Sequence, residues 1–286
     1  MTDALPIPPL PDIVIEPLVR LALSEDLGRA GDITTDAVIR ADERMMATIA
    51  ARESGVGAGF DAARLALRLI DADVTWDAQI AEGAGFESGD ALVRLSGAAR
   101  SILMAERVML NFIGPLSGVA TLTRRYVDAV EGTGARIVCT RKTTPGFRAL
   151  EKRAVRLGGG VNHRLGLDDA ILIKDNHIAA AGGVGAALKR AKVSVGHLRA
   201  IEIEVDTLDQ LAEALPLKPD AVLLDNMKLD TLREAVKRVA GQCKTEASGG
   251  VRLETVRAIA ETGVDFISVG ALTHSAINLD IGLDYA

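Results

Sequence analysis

From Ala135 onward the chain alternates short apolar runs with helical segments, and this constrains the fold more than any other feature. The runs are RIVCT (136–140), AILIK (170–174), AIEIEV (200–205), AVLLD (221–225), KTEAS (244–248) and FISVG (266–270). Between them lie amphipathic stretches such as TLDQLAEAL, TLREAVKRVA and LETVRAIAET. Successive runs end roughly 20–35 residues apart, the length of one strand-helix unit. Such spacing predicts parallel strands covered by helices, in an open sheet or a barrel. Six runs are fewer than the eight of a complete barrel, so the barrel is expected to be irregular and incomplete. Aromatic residues are only 3% of the chain against 48% hydrophobic, so the core must be Ala, Val, Leu and Ile, which suits α/β packing.

Upstream the pattern is mixed. Glu16 to Asp26 reads as a helix, Met45 to Glu53 as a strand, DAARLALRLI as a helix and ALVRLSG as a strand after the turn ESGD. GVGAG at 55–59 lacks dinucleotide-fingerprint spacing and reads as a turn or bulge. Ser101 is expected to cap a long helix beginning ILMAERVMLNF, with the domain change near it.

Net charge is −6, which argues against a nucleic-acid binder. No apolar run reaches the roughly 18 residues of a membrane span. The opening MTDALPIPPLPD carries no basic and apolar leader pattern, and Cys139 and Cys243 read as reduced core thiols, so a cytoplasmic protein is expected. The charge is unevenly distributed: from Arg136 to Arg164 there are eight Lys/Arg and one acid, Glu151. A solvated helix face accounts for Arg148, Lys152, Arg153 and Arg156. It accounts poorly for Arg141, Lys142 and Arg164, which flank apolar or glycine-rich segments and point to a small anionic ligand.

Polar residues gather where the runs end. The first runs into Thr140, Arg141 and Lys142, the second ends at Lys174, the third has Glu204 near its end, and the fourth ends at Asp225. The fifth ends at Ser248 before Gly249 and Gly250, and the sixth closes on Val269 and Gly270. A barrel's active site lies at the C-terminal ends of its strands, often with phosphate on the last loops. Arg141, Lys142, Arg164, Lys174 and a protonated His163 would meet anions, while Glu204 and Asp225 would meet hydroxyls or Mg²⁺. In the third run Glu202, Glu204 and Asp206 share the inward face, with Lys142 and Lys174 as the natural partners. A structural salt-bridge lattice is the competing reading, stronger for Glu202 than for Glu204. His177 reads as a hydrogen-bonded turn residue, and His197 and His274 as ordinary.

These residues carry a resemblance. TRKTTPGFR (140–148), GGGVNHR (158–164), LIKDNHI (172–178), EIEV (202–205), LLDNM (223–227), EASGG (246–250) and GVDFISVGALTHS (263–275) stand in the order found in quinolinate phosphoribosyltransferases. EDLGRAGDITT (25–35) and AERVMLNFIGPLSGVAT (105–121) match upstream, so the resemblance covers nearly the whole chain. It departs at Phe147, where leucine is frequent.

The resemblance implies a decarboxylating pentosyltransferase of NAD biosynthesis. It would convert quinolinate and phosphoribosyl pyrophosphate to nicotinate mononucleotide, CO2 and pyrophosphate. It implies an N-terminal α/β sandwich (1–115) with the C-terminal tail (273–286) packed on it, an α/β barrel (116–272), and a homodimer. Arg141, His163, Arg164 and Lys174 would hold the two carboxylates of quinolinate. Lys142 and Lys174 would face the diphosphate; Glu204 and Asp225 would take ribose hydroxyls and Mg²⁺, held directly or through substrate. Ser248–Gly250 and Ser268–Gly270 would hold the 5′-phosphate, Thr140 and Glu246 would line the site, and Arg107 would come from the neighbouring subunit. Two other readings stand beside this one: a Schiff-base lyase built on Lys174, and a non-catalytic anion-binding relative.

Overall fold

The computed structural model describes residues 7–285. The first half of MTDALPIPPLPD lies outside the described residues, as does Ala286 at the end of the expected tail. In chain order the first elements are α1 (Asp12–Leu27), α2 (Ile33–Val38), β1 (Arg44–Ala51), β2 (Gly55–Val56) and α3 (Phe60–Ile70). Next come β3 (Thr75–Ala78), β4 (Gly85–Phe86), β5 (Ala91–Ala98) and the long α4 (Ala99–Ala129). Then follow β6 (Arg136–Val138), α5 (Arg148–Leu157), β7 (Ile171–Ile173), α6 (Asp175–Ala181), α7 (Val184–Ser194), β8 (Ile201–Val205) and α8 (Leu208–Ala214). The chain finishes with β9 (Ala221–Asp225), α9 (Leu229–Val239), β10 (Lys244–Ser248), α10 (Leu253–Ala260), β11 (Phe266–Ser268), α11 (Ala271–His274) and β12 (Ile281–Tyr285).

The chain divides into two compact units. One takes residues up to Arg124, Thr143–Gly159 and the chain from Leu272; the other takes Arg125–Lys142 and Gly160–Ala271. The segment 143–159, which the sequence reading assigns to the barrel, therefore belongs to the first unit.

In the first unit an antiparallel sheet runs β12-β1-β5-β3. Its buried face, with Ile49, Leu92 and Leu95, packs with Leu67 of α3 and with Ile102, Met109 and Ile113 of α4. Each such side chain contributes about 1.5–3 kcal/mol by leaving water. The tail extends the sheet by one edge strand: β12 pairs antiparallel with β1, Ala51 opposite Ile281. Phe147 stacks on Phe112 with ring centroids 5.5 Å apart, which gives the phenyl ring at this position a packing role.

Two sequence expectations change here, at Ser101 and at α5, and α4 adds an observation. Ser101 is not a cap: α4 begins at Ala99, and the Ser101 hydroxyl donates to Asp71 Oδ2 at 2.7 Å. Helix α4 is long and apolar enough to cross a membrane by length and composition, although no bare apolar run shows it; two thirds (67%) of its most apolar window is buried inside the protein, as in a core helix. The basic helix α5 is no solvated face either. Lys152 is 1% and Arg153 9% exposed, and of the four cations only Arg156 is open to solvent.

Arg153 is instead the centre of a buried ion cluster. Its Nη1 pairs with Glu82, its Nη2 lies 3.2 Å from Asp61 Oδ2, and its Nε donates to the Pro8 carbonyl at 3.1 Å. Burial, the largest influence, pushes the Glu82 carboxyl above its ordinary value despite this partner. Removing the arginine would strand two poorly hydrated acids. Arg153→Met is therefore expected to destabilise the chain by about 3–5 kcal/mol, read as a lower urea midpoint with an unchanged slope.

The second unit holds a six-stranded parallel sheet, order β6-β11-β10-β9-β8-β7. Alternation decides its two faces. Ile203, Val205, Val222, Leu224 and Ile267 are fully buried. Residues paired across parallel strands share a face, so Leu172 lies beside Glu202 on the opposite, acid-bearing face. Among the described residues no strand pairing joins the edge strands β6 and β7, so the barrel is incomplete as expected. A short seventh stave lies along β6: Val161 bridges Val138 in parallel, and the Cys139 N–H donates to the Val161 carbonyl at 3.2 Å.

Candidate active site

The inner face of this sheet and the C-terminal ends of its strands carry two side-chain clusters. Lys174 follows β7 and places its Nζ 3.9 Å from Glu204 Oε2 on β8. Carboxylate oxygens of Glu204, Asp206 and Asp225 all lie within 4.8 Å of one another. Burial, foremost, raises the Glu204 carboxyl above its ordinary value, and the charges of Asp225, Asp175 and Asp206 add to the effect against the opposing Lys174. Three acids this close repel, and a divalent cation would relieve that repulsion. The donor set therefore fits Mg²⁺, a hard ion that takes oxygen ligands. Alternation had put Asp206 on this face, and the structure adds it to the cluster.

The second cluster is deeper. His163 Nε2 lies 2.9 Å from Glu202 Oε2 and 3.8 Å from Glu246 Oε1, and the Ser268 hydroxyl donates to Glu246. Glu202 thus pairs with His163 and not with the lysines that alternation had suggested. Burial, with Glu202 next, lifts the Glu246 carboxyl from 4.5 to about 7. Because the folded state binds more protons than the unfolded chain from pH 4.5 to about 7, this group makes stability fall as pH rises through that window. Glu246→Gln is expected to flatten that slope and to melt higher than the parent above it, as thermal scans across pH would show.

Arg164 comes from the loop after the seventh stave. Its Nη1 donates to the Ala170 carbonyl at 2.8 Å, and its Nε is buried without a partner among the described residues. Burial and the neighbouring Arg141 charge pull this guanidinium below its ordinary value. A cation held in that way could be satisfied by an anionic ligand. A cavity of about 410 Å³ is lined by His163, Arg164, Glu202 and Glu246 and reaches Ala221 and Lys244 at the starts of β9 and β10.

The remaining expected residues divide by position. Lys142 is exposed, and its N–H donates to Thr140 Oγ1 at 3.1 Å. Ser248 ends β10 opposite Asp225, and its carbonyl accepts the Asn226 N–H at 2.9 Å. Gly249 has φ +94°, and a Cβ there would press on the Asn226 side chain and lie 3.0 Å from its backbone nitrogen, so the turn favours glycine. Gly250 follows at φ +60°, and the pair leads toward helix α10. Ser268 and Val269 are buried at the end of β11, with Gly270 next. Arg107 is exposed on α4 and belongs to the first unit. His177 is hydrogen-bonded as expected but stands in the first turn of helix α6, where its Nδ1 accepts the Lys174 N–H at 2.9 Å.

A parallel α/β sheet with cations, a carboxylate cluster and a glycine turn at its strand ends defines a protein with a site for a polyanionic small molecule. Comparison with known proteins narrows this class. The model described as "Quinolinate phosphoribosyl transferase, C-terminal domain" matches residues 119–284, and its N-terminal counterpart matches 32–117. A nicotinate-nucleotide pyrophosphorylase [carboxylating] of Mycobacterium leprae is 47% identical over 93% of this chain and 95% of its own. One described as probable, from Bacillus subtilis, is 44% identical over 91% and 89%. The crystal structure of NadC from Streptococcus pyogenes superposes with a TM-score of 0.93 at 38% identity, covering 98% of this chain and 99% of that one. The chain belongs to the quinolinate phosphoribosyltransferase family.

Proposed function

We propose that this protein is a decarboxylating quinolinate phosphoribosyltransferase, forming nicotinate mononucleotide, CO2 and pyrophosphate from quinolinate and phosphoribosyl pyrophosphate. The observation that carries the reading is Arg164, whose buried Nε lacks a partner among the described residues in a chain of this family. Arg141, Arg164 and Lys174 would take the substrate carboxylates, Lys142 with Lys174 the diphosphate, and the N–H groups of residues 248–250 and 268–270 the 5′-phosphate. Glu204 and Asp225 would hold Mg²⁺, directly or through substrate, and the ribose hydroxyls. The bound ion would supply Lewis-acid stabilisation of the departing pyrophosphate.

The chain's own groups act by position and charge. The pyridine nitrogen attacks C1 of the ribose as the C1–O bond to pyrophosphate breaks, and no general base is needed because that nitrogen carries no proton. The Glu204 and Asp225 carboxylates stabilise positive charge growing on the ribose, and Lys142 and Lys174 stabilise the leaving diphosphate. The ring, now cationic, takes the electron pair as the 2-carboxylate leaves as CO2, and a proton then fills that carbon. A homodimer with Arg107 reaching the neighbour's site is part of the proposal.

A Schiff-base lyase is less well supported. The Lys174 side chain is 50% exposed beside a carboxylate, whereas lysines that form Schiff bases are activated by desolvation. Purified protein given both substrates and Mg²⁺ should form nicotinate mononucleotide and pyrophosphate in equal amounts. Formation of neither would overturn the proposal.

A further inference from the structure

Both ring nitrogens of His163 are engaged within the protein. The Arg164 N–H donates to His163 Nδ1 at 2.8 Å. A nitrogen that accepts must keep its lone pair, so the ring proton sits on Nε2. That nitrogen lies 2.9 Å from Glu202 Oε2, and a carboxylate there can only accept. Glu246 Oε1, at 3.8 Å, is beyond hydrogen-bond reach of the ring. The chain of contacts therefore runs one way, from the Arg164 main chain to Nδ1 and from Nε2 to Glu202. It also bears on the close grouping of His163, Glu202 and Glu246, whose donor atoms lie within 4.8 Å of one another. A protonated Nε2 has no lone pair for a metal ion, so the group does not read as a metal centre.

Arg164 is thereby held at two points, its main chain by His163 and its guanidinium by the Ala170 carbonyl at 2.8 Å. The His163 and Glu202 side chains are 15% and 12% exposed, so water competes weakly for these bonds. We propose that Glu202 is a positioning residue which, through His163, fixes the Arg164 main chain so that its guanidinium meets the substrate carboxylate. This rests on the function proposed above. The two glutamates of β8 then divide the work. Glu204 stands near the strand end among the acids, while Glu202, one inward position earlier, orients the arginine. His163 touches Arg164, and the substrate meets the arginine.

Steady-state kinetics with both substrates test this. Loss of one such hydrogen bond is expected to raise KM for quinolinate about tenfold in Glu202→Ala, with KM for phosphoribosyl pyrophosphate changed less than about twofold. Glu202→Gln, whose amide oxygen can still accept from Nε2–H, should stay within about threefold of the parent. Because Glu202 acts through His163, the double variant Glu202→Ala/His163→Ala should be no worse than His163→Ala alone. Melting curves check folding, and Glu202→Met, similar in length and without an acceptor, replaces the alanine variant if that fails to fold. Equal rises in both KM values, a Gln variant as poor as the Ala variant, or additive effects in the double variant would each overturn the inference. A parent enzyme that forms no nicotinate mononucleotide would overturn the function and the inference together. An active parent with an unchanged quinolinate KM in Glu202→Ala would overturn the inference alone.

Discussion

Offered nicotinate in place of quinolinate, the enzyme is expected to lose about 10²–10⁴-fold in kcat/KM. Nicotinate lacks the carboxylate beside the ring nitrogen. Arg141, Arg164 and Lys174 are more cations than one carboxylate satisfies, and the buried Arg164 Nε would stay unpartnered. Each charge-assisted hydrogen bond contributes about 1.5–3 kcal/mol, and an arginine-carboxylate contact often makes two. Arg164→Ala should erase most of the preference by lowering the quinolinate value. Its melting temperature should stay close to the parent's, since the side chain's hydrogen bond within the protein is to the Ala170 carbonyl. Equal use of both acids by the parent would remove these cations from the carboxylate assignment.

Mixed dimers of Arg107→Ala and Lys174→Ala chains are expected to recover about half of the parent activity, although each variant alone should be nearly inactive. Arg107 is exposed on α4 and belongs to a different unit from Lys174. If it serves the neighbour's site, one site of a mixed dimer carries both lesions and the other carries none. If it serves its own chain, each site carries one lesion and nothing is recovered. Differently tagged chains, purified through both tags, provide the sample. Mixed dimers that are present but no more active than the single variants would end the shared-site proposal.

The strands of the parallel sheet were legible because they obey local rules. Each apolar run from 136 to 270 contains the strand later seen, and β9 and β10 span AVLLD and KTEAS whole. Alternation along 201–205 correctly put Ile201, Ile203 and Val205 on the buried side and the glutamates on the other. The strand end at Ser248 before two glycines was legible for the same reason, while the left-handed turn they form was not read from the sequence. The charges of α5 were not legible. A helix of alternating basic and apolar residues reads as a solvated face until Glu82 and Asp61, far away in sequence, are brought against Arg153.

The partner of Glu202 was hidden in the same way. Periodicity says which face a side chain takes, but not which loop crosses that face. His163 reaches Glu202 because residues after Gly160 run beside β6 as a seventh stave, a placement that one parallel bridge at Val161 reports and no apolar run announces. By itself the sequence determined the strand-helix order, the faces of the strands and the charged residues at their ends, because spacing of side chains along one segment encodes them. The tertiary structure alone decided which cation meets which acid, because those pairings depend on crossing distances between segments remote in the chain.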